Sequence, residues 1–150
     1  MPELLEQIIS ERNKKKLFVG IGNVLKCDDG IGVYISQRIR SAPDILVLTV
    51  ETSIENYIGK INSIDPDILI LLDAVDMGAS PGTIKTMSIN QIHDLTFNTH
   101  NISLARFSEF FRMEIYIVGI QPEKVEFGEK ISYIVHNEAD RLIGIINKTK

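Results

Sequence analysis

The sequence predicts an α/β protein: a three-layer α/β/α sandwich around a mostly parallel, twisted sheet of about five strands. Short apolar runs that end in glycine or an acidic residue alternate with segments whose apolar residues recur every three or four positions. The length of 150 residues fits one domain with one sizeable core. No internal repeat or linker-like stretch divides the chain, so residues 1–150 are expected to form one domain.

The first half of the chain contains three predicted helices and three predicted strands. Helical periodicity with isoleucine on the inward face is found in the segments 2–12, 29–40 and 53–64. Compact apolar runs typical of buried parallel strands lie at 17–21, 45–50 and 68–72. Ser53 is the predicted cap of the third helix. The basic run 14–16 is interpreted as a solvated approach to the first strand.

The second half predicts two more strands, at 83–89 and 114–120, and helices at 102–113 and 131–147. The segment 90–101 has no clear period and contains His93 and His100. Loops that leave parallel strands meet at the carboxyl edge of the sheet, where ligands usually bind. Four loops are expected there: 22–29, 51–53, 73–82 and 121–128.

The composition excludes several classes of partner. The net charge is −4 and no basic stripe stands out, so a nucleic-acid partner is not expected. No apolar run approaches the roughly 20 residues of a membrane-spanning helix, and the N-terminus lacks the pattern of a signal peptide. The single cysteine, Cys27, excludes an internal disulfide and suits a reducing compartment. We therefore expect a cytoplasmic protein that does not insert into a membrane.

The glycine turn after the first strand permits a nucleotide-binding interpretation. Gly20-x-Gly22 follows a strand, and Glu51 ends the next strand, where a ribose-binding acid would lie. However, Leu25 occupies the third glycine position, and Asp28-Asp29 would repel a pyrophosphate at the helix start. A Rossmann-like nucleotide-binding module is therefore the less favoured interpretation of this turn.

Acidic residues are the strongest candidates for a functional site. Asp28 and Asp29 could simply cap the following helix. Asp73 follows five aliphatic residues, where an ionised carboxylate is costly unless it is paired or binds a ligand; an Asx turn is the alternative. If the loop that contains His100 folds over the sheet edge, His100 could join Asp29 and Asp73 as ligands of a divalent transition metal. Cys27 is a poor nucleophile candidate because two acids adjoin it.

Six short segments occur along the chain in a characteristic order. They are Gly20-Ile21-Gly22-Asn23, Asp28-Asp29-Gly30-Ile31-Gly32, Asp73-Ala74-Val75-Asp76-Met77-Gly78, Pro81-Gly82-Thr83, Thr99-His100-Asn101 and Gly119-Ile120-Gln121-Pro122. Together they resemble the hydrogenase maturation endopeptidases, which process the large subunit of nickel–iron hydrogenases. The similarity extends over nearly the whole chain from about residue 16. The N-terminal helix and the short C-terminus depart from the family pattern.

The resemblance implies an activity and a ligand set. Family members remove the C-terminal extension of the large-subunit precursor once nickel is in place. Asp29, Asp73 and His100 would bind nickel that cysteine thiolates of the precursor already hold. Catalysis would use Asp29 and Asp73, with Asp28 as a further candidate. Nickel would arrive in the substrate, so the free protein would hold no permanent cofactor, although cadmium or zinc could occupy the site artificially.

Three points remain open at this level. Nickel could act as a Lewis acid or only dock the tail while a carboxylate serves as base. Glu51 and Asp76 are expected at the same edge, where they could orient ligands or contact substrate. The main alternative function is a non-catalytic, nickel-sensing maturation chaperone that binds the same precursor without cutting it. A monomer is expected in either case.

Overall fold

A computed structural model describes residues 3–92 and 108–149, with the side chains of 91, 92 and 149 excepted. The strands are β1 (Lys16–Ile21), β2 (Ile45–Glu51), β3 (Ile68–Ala74), β4 (Ile84–Ser88) and β5 (Glu114–Ile120). The helices are α1 (Glu3–Ser10), α2 (Ile31–Ser36), α3 (Ile58–Ile64), α4 (Ile89–Ile92) and α5 (Tyr133–Thr149). Short 3-10 helices are formed by Cys27–Gly30, Ile54–Tyr57 and Ser108–Phe110.

The five strands form one sheet in the order β2-β1-β3-β5-β4. The pairs β1–β2, β1–β3 and β3–β5 are parallel, whereas β4 runs antiparallel to β5 at one edge. Every residue of β1 and β3 is buried, because these strands lie inside the sheet and are covered on both faces. The predicted mostly parallel, five-stranded α/β sheet is confirmed.

Two apolar cores lie on opposite faces of the sheet. One core packs α1, α2 and α5 on the sheet, and the other packs the segment 54–61 and Phe111 on the reverse face. The four residues predicted on the inner face of the last helix are all buried: Val135, Ala139, Leu142 and Ile146. The three-layer arrangement follows from these two cores. Within the described residues, no helix is both long and apolar enough to cross a membrane.

Several predicted boundaries differ from the structure. The helix predicted over 29–40 begins as the 3-10 helix Cys27–Gly30, and α2 ends at Ser36. The helix predicted from Ser53 splits into a 3-10 turn and α3, and Ser53 makes no side-chain capping hydrogen bond, so that cap prediction is wrong. Half of the helix predicted over 102–113 lies outside the described residues, as do His93 and His100. The described half contains only the 3-10 helix Ser108–Phe110, so the prediction of a helix to residue 113 is wrong there.

The interpretation of the basic run as solvated is wrong for Lys16, which is fully buried at the start of β1. Its ammonium donates hydrogen bonds to the carbonyls of Ile9 (3.0 Å) and Glu11 and to Oδ2 of Asp44 (2.9 Å). Lys16 therefore satisfies carbonyls at the C-terminal end of α1 and joins that helix to β1. The hydrogen bond from Lys16 to Asp44 holds the pKa of the Asp44 carboxyl below its ordinary value.

We expect Lys16→Met to lower the free energy of unfolding by about 2 to 3 kcal/mol, because the buried carbonyl of Ile9 and the part-buried carbonyl of Glu11 lose their donor. Urea unfolding followed by circular dichroism measures the change. Lys14→Met is the matched control, since Lys14 forms only half-exposed ion pairs and should cost less than about 1 kcal/mol. Equal losses in the two variants would contradict the structural role of Lys16.

Candidate functional site

The glycine turn after β1 packs closely against the protein's own backbone. Gly22 has a φ of +151°, and a Cβ on it would lie 2.1 Å from the carbonyl oxygen of Asp29. The Gly22 N–H donates to the carbonyl of Glu51 (3.0 Å). Because the close approach is made by the protein itself, this glycine does not open space for a phosphate, which argues against nucleotide binding.

Asp29 is 1% exposed at this turn, and its Oδ2 accepts a hydrogen bond from the Asn23 N–H (3.2 Å). The Asn23 side chain in turn accepts a hydrogen bond from the N–H of Leu25 (2.9 Å). The carboxylate is therefore positioned by the turn that precedes it, on the short 3-10 helix that leads into α2.

The start of α2 lies directly against the carboxyl ends of β1 and β3. A Cβ on Gly32 would lie 2.1 Å from the carbonyl oxygen of Leu72 and 2.3 Å from that of Ile21. Only glycine permits this approach, which brings the 3-10 helix with Asp29 against β3. Asp73, the residue after Leu72, is fully buried in the same strand. Two buried carboxylates are thus positioned by adjoining elements at one edge of the sheet.

Asp73 lies within β3 and not after it, because pairing with β5 continues to Ala74. Its Oδ1 accepts a hydrogen bond from the Ala74 N–H (2.9 Å). The N–H of Val75, which an Asx turn at Asp73 would use, donates instead to the carbonyl of Ile120 (3.0 Å). The Asx-turn alternative for Asp73 is therefore wrong.

Asp28 binds a different part of the chain from the turn that positions Asp29. It is fully buried, and its carboxylate accepts hydrogen bonds from the N–H groups of Glu123 (2.8 Å), Lys124 (2.9 Å) and Ser132 (2.6 Å). The Ser132 hydroxyl donates a fourth (2.7 Å). No side-chain cap closes the 3-10 helix or α2, so the interpretation of Asp28 as a helix cap is wrong. These contacts favour a positioning role for Asp28 over proton transfer.

The loop after β3 is held by Gln121, whose role the sequence did not reveal. The Gln121 Oε1 accepts hydrogen bonds from the N–H groups of Met77 (2.6 Å) and Ala79 (3.3 Å). Its Nε2 donates to Oδ1 of Asp76 (3.2 Å), which also accepts from the Gly78 N–H (3.1 Å). Asp76 therefore shapes this loop. The only sequence signal was the Gln-Pro pair that ends β5.

The predicted third metal ligand, His100, lies outside the described residues. Within the described part of the chain, no group of three or more histidine, cysteine or acidic residues is arranged to hold a metal ion. The three-residue shell of Asp29, Asp73 and His100 stays a prediction. Glu51 is at the same edge with an exposed side chain and a φ of 54°; it contacts the glycine turn through its carbonyl.

The fold and these carboxylates define an α/β protein with an acidic site at the carboxyl edge of a parallel sheet. The chain belongs to the hydrogenase maturation protease family, whose HycI profile matches residues 31–149. The match includes Asp73 and begins two residues after Asp29. Family membership makes the protein a peptide hydrolase of hydrogenase maturation, as the resemblance implied.

Individual relatives agree with this assignment. The hydrogenase 3 maturation protease of Escherichia coli K12 is 31% identical over 113 residues, which cover 71% of this chain and 72% of that protein. The crystal structure of the hydrogenase maturation protease HycI from Thermococcus kodakarensis KOD1 has a TM-score of 0.83 at 27% identity, covering 97% of both chains. The solution structure of the endopeptidase HycI from Escherichia coli has a TM-score of 0.77 at 25% identity, covering 89% of this chain and 90% of that one.

Proposed function

We propose that this protein is the endopeptidase that removes the C-terminal extension of a nickel–iron hydrogenase large-subunit precursor after nickel insertion. The observation that supports this most is the buried pair Asp29 and Asp73 at adjoining strand and helix ends in a member of this family. Two carboxylates near each other in a buried site favour a bound cation, which offsets their desolvation. We further propose that the protein works as a monomer in the cytoplasm.

Nickel in this proposal belongs to the substrate. Thiolates of the precursor hold the ion, and Asp29, Asp73 and His100 complete its coordination when the precursor docks. Carboxylates and a neutral imidazole are suitable additional ligands for such an ion. Docking through the ion therefore requires a precursor in which metal insertion is complete. The protein itself needs no permanent cofactor.

The chemical step is hydrolysis of one peptide bond. A water oxygen attacks the scissile carbonyl carbon, the C–N bond breaks, and the proton from water passes to the leaving amine. We assign the transfer of that proton to the carboxylate of Asp29 or Asp73. Asp28 is excluded from this role in the proposal, because its two oxygens already accept four hydrogen bonds.

The direct test is incubation of the protein with nickel-loaded precursor, followed by mass spectrometry of the precursor. We expect the precursor to lose a C-terminal peptide, and we expect precursor without nickel to stay intact. A stable complex that contains intact, nickel-loaded precursor would contradict the proposal and favour the nickel-sensing chaperone.

A further inference from the structure

The edge strand β4 has main-chain groups that the sheet does not use. It is the last strand of the sheet and pairs with β5 on one side. The register pairs Ile84 with Ile120, Lys85 with Gly119 and Thr86 with Val118. The described residues place no strand on its other side. An edge of this kind is a template for another extended segment.

The register identifies which residues present this free edge. The Gln121 N–H donates to the carbonyl of Thr83 (2.8 Å), so the main-chain groups of Thr83 face β5. Hydrogen-bonded and non-hydrogen-bonded pairs alternate along antiparallel strands, so the main-chain groups of Lys85 also face β5. The N–H and carbonyl groups of Ile84 and Thr86 therefore point away from the sheet. These are the groups that an added strand would bind.

A groove of about 790 Å³ runs beside this edge, between β4 and α5. Its apolar lining includes Ile84, Ile134, Leu142 and Ile145. Its charged lining is Lys85, Arg141 and Glu138, which leaves a net positive charge in a chain whose total is −4. The groove therefore suits an extended peptide with apolar side chains and a carboxylate.

The edge of β4 lies near the acidic site within the sheet, although the groove and Asp73 are on opposite faces. Leu72 and Ala74 pack in the core that contains α5, so Asp73 between them faces the other side.

Asp73 pairs in register with Gly119 across β3 and β5, and Gly119 pairs with Lys85 across β5 and β4. Asp73 and Lys85 thus share one row of the sheet, two strand spacings or about 10 Å apart. About three extended residues cover that distance. Val75 and Met87 cover the direct line over Gly119, so a peptide cut beside Asp73 would reach β4 around the carboxyl end of β5, a path somewhat longer than three residues.

We propose that the C-terminal extension of the precursor binds as an added strand along β4, with apolar side chains in the groove and a carboxylate near Lys85. This inference rests on the proposed function, and it specifies how the tail is held for cleavage. The main-chain hydrogen bonds explain how an extended tail is recognised through its backbone, while the groove selects its side chains.

The test uses proline to remove one outward N–H from each sheet edge. Thr86→Pro removes the Thr86 N–H, which does not bond β5, and proline is tolerated at such edge positions. Val47→Pro on β2 is the matched control. The Ile45 N–H donates to the carbonyl of Ala42 and not to β1, so by alternation Val47 also faces outward. Melting temperatures verify that both variants fold.

The measurement is the KM and kcat for cleavage of nickel-loaded precursor, together with the Kd for a synthetic peptide of its C-terminal extension. We expect Thr86→Pro to raise KM and Kd about tenfold, as expected for a lost hydrogen bond, with little change in kcat. Val47→Pro should change KM and Kd by less than about twofold. Lys85→Glu should also weaken binding several-fold, with Lys60→Glu on α3 as its control, so the test does not depend on one proline.

The possible outcomes separate this inference from the proposed function. If the native protein cleaves the precursor but Thr86→Pro and Val47→Pro have equal KM and Kd values, the inference is overturned and the proposed endopeptidase function stands. Tail binding that depends on β4 without any cleavage would support the inference and overturn the endopeptidase. A native dimer that Thr86→Pro converts to a monomer, with unchanged tail binding, would overturn the inference, because a second copy would then be the occupant.

Discussion

Replacement of Asp29 or Asp73 by asparagine is expected to slow cleavage of nickel-loaded precursor at least about a hundredfold, the low end of a general acid–base contribution. Asparagine keeps the shape of each side chain and an oxygen that can accept the existing hydrogen bonds from Asn23 and Ala74. It removes the negative charge that a cation and a transferred proton both require. The variants should therefore fold normally and fail in the reaction.

The measurement is the single-turnover rate of tail removal at saturating precursor, with urea unfolding as the check of stability. Asp65→Asn is the matched control. Asp65 is exposed in the turn after α3, and its φ of 51° is a conformation that asparagine also adopts. Undiminished cleavage by either site variant would remove that residue from the mechanism. If both retained full activity, the assignment of the acidic pair as the active site would be wrong.

The interior of the fold could be predicted from the sequence because periodicity reports burial directly. β5 was predicted over 114–120 and is found over Glu114–Ile120. The inner face of α5 was also predicted correctly. Both elements are long enough for the pattern of apolar residues to determine which side is covered. Element ends were less predictable, because Ser53 could form a cap but the backbone there turns into a 3-10 helix.

The two adjacent acids show why the candidate site was only partly predictable. A local pattern suggests capping for Asp28, but its hydrogen-bond partners lie 95 to 104 residues further along the chain. The same limit applies to Lys16, whose ion-pair partner is 28 residues away. Sequence order indicated that Asp29 and Asp73 would reach one edge of the sheet. It contained no local signal for the direction of either side chain.

The long-range contacts of Asp28 lead to the second large effect. Asp28→Ala should lower the free energy of unfolding by about 3 kcal/mol, because three part-buried N–H groups and a hydroxyl lose the fully buried carboxylate that accepts from them. The loss should be concentrated in the segment 123–132, which Asp28 ties to the 3-10 helix that bears Asp29. Hydrogen exchange at the amides of Glu123, Lys124 and Ser132 should become much faster than in the native protein.

The control for Asp28 is Asp67→Ala, which removes one exposed carboxylate contact, to the Lys15 N–H (2.7 Å), and should cost about 1 kcal/mol or less. Asp28→Asn keeps one acceptor oxygen but presents an amide to groups that are themselves donors, so an intermediate loss is expected. Cleavage should fall in parallel with the loss of amide protection, because Asp28 acts by holding the site together. If Asp28→Asn abolished cleavage while amide protection and stability stayed native, Asp28 would take part in the chemistry itself.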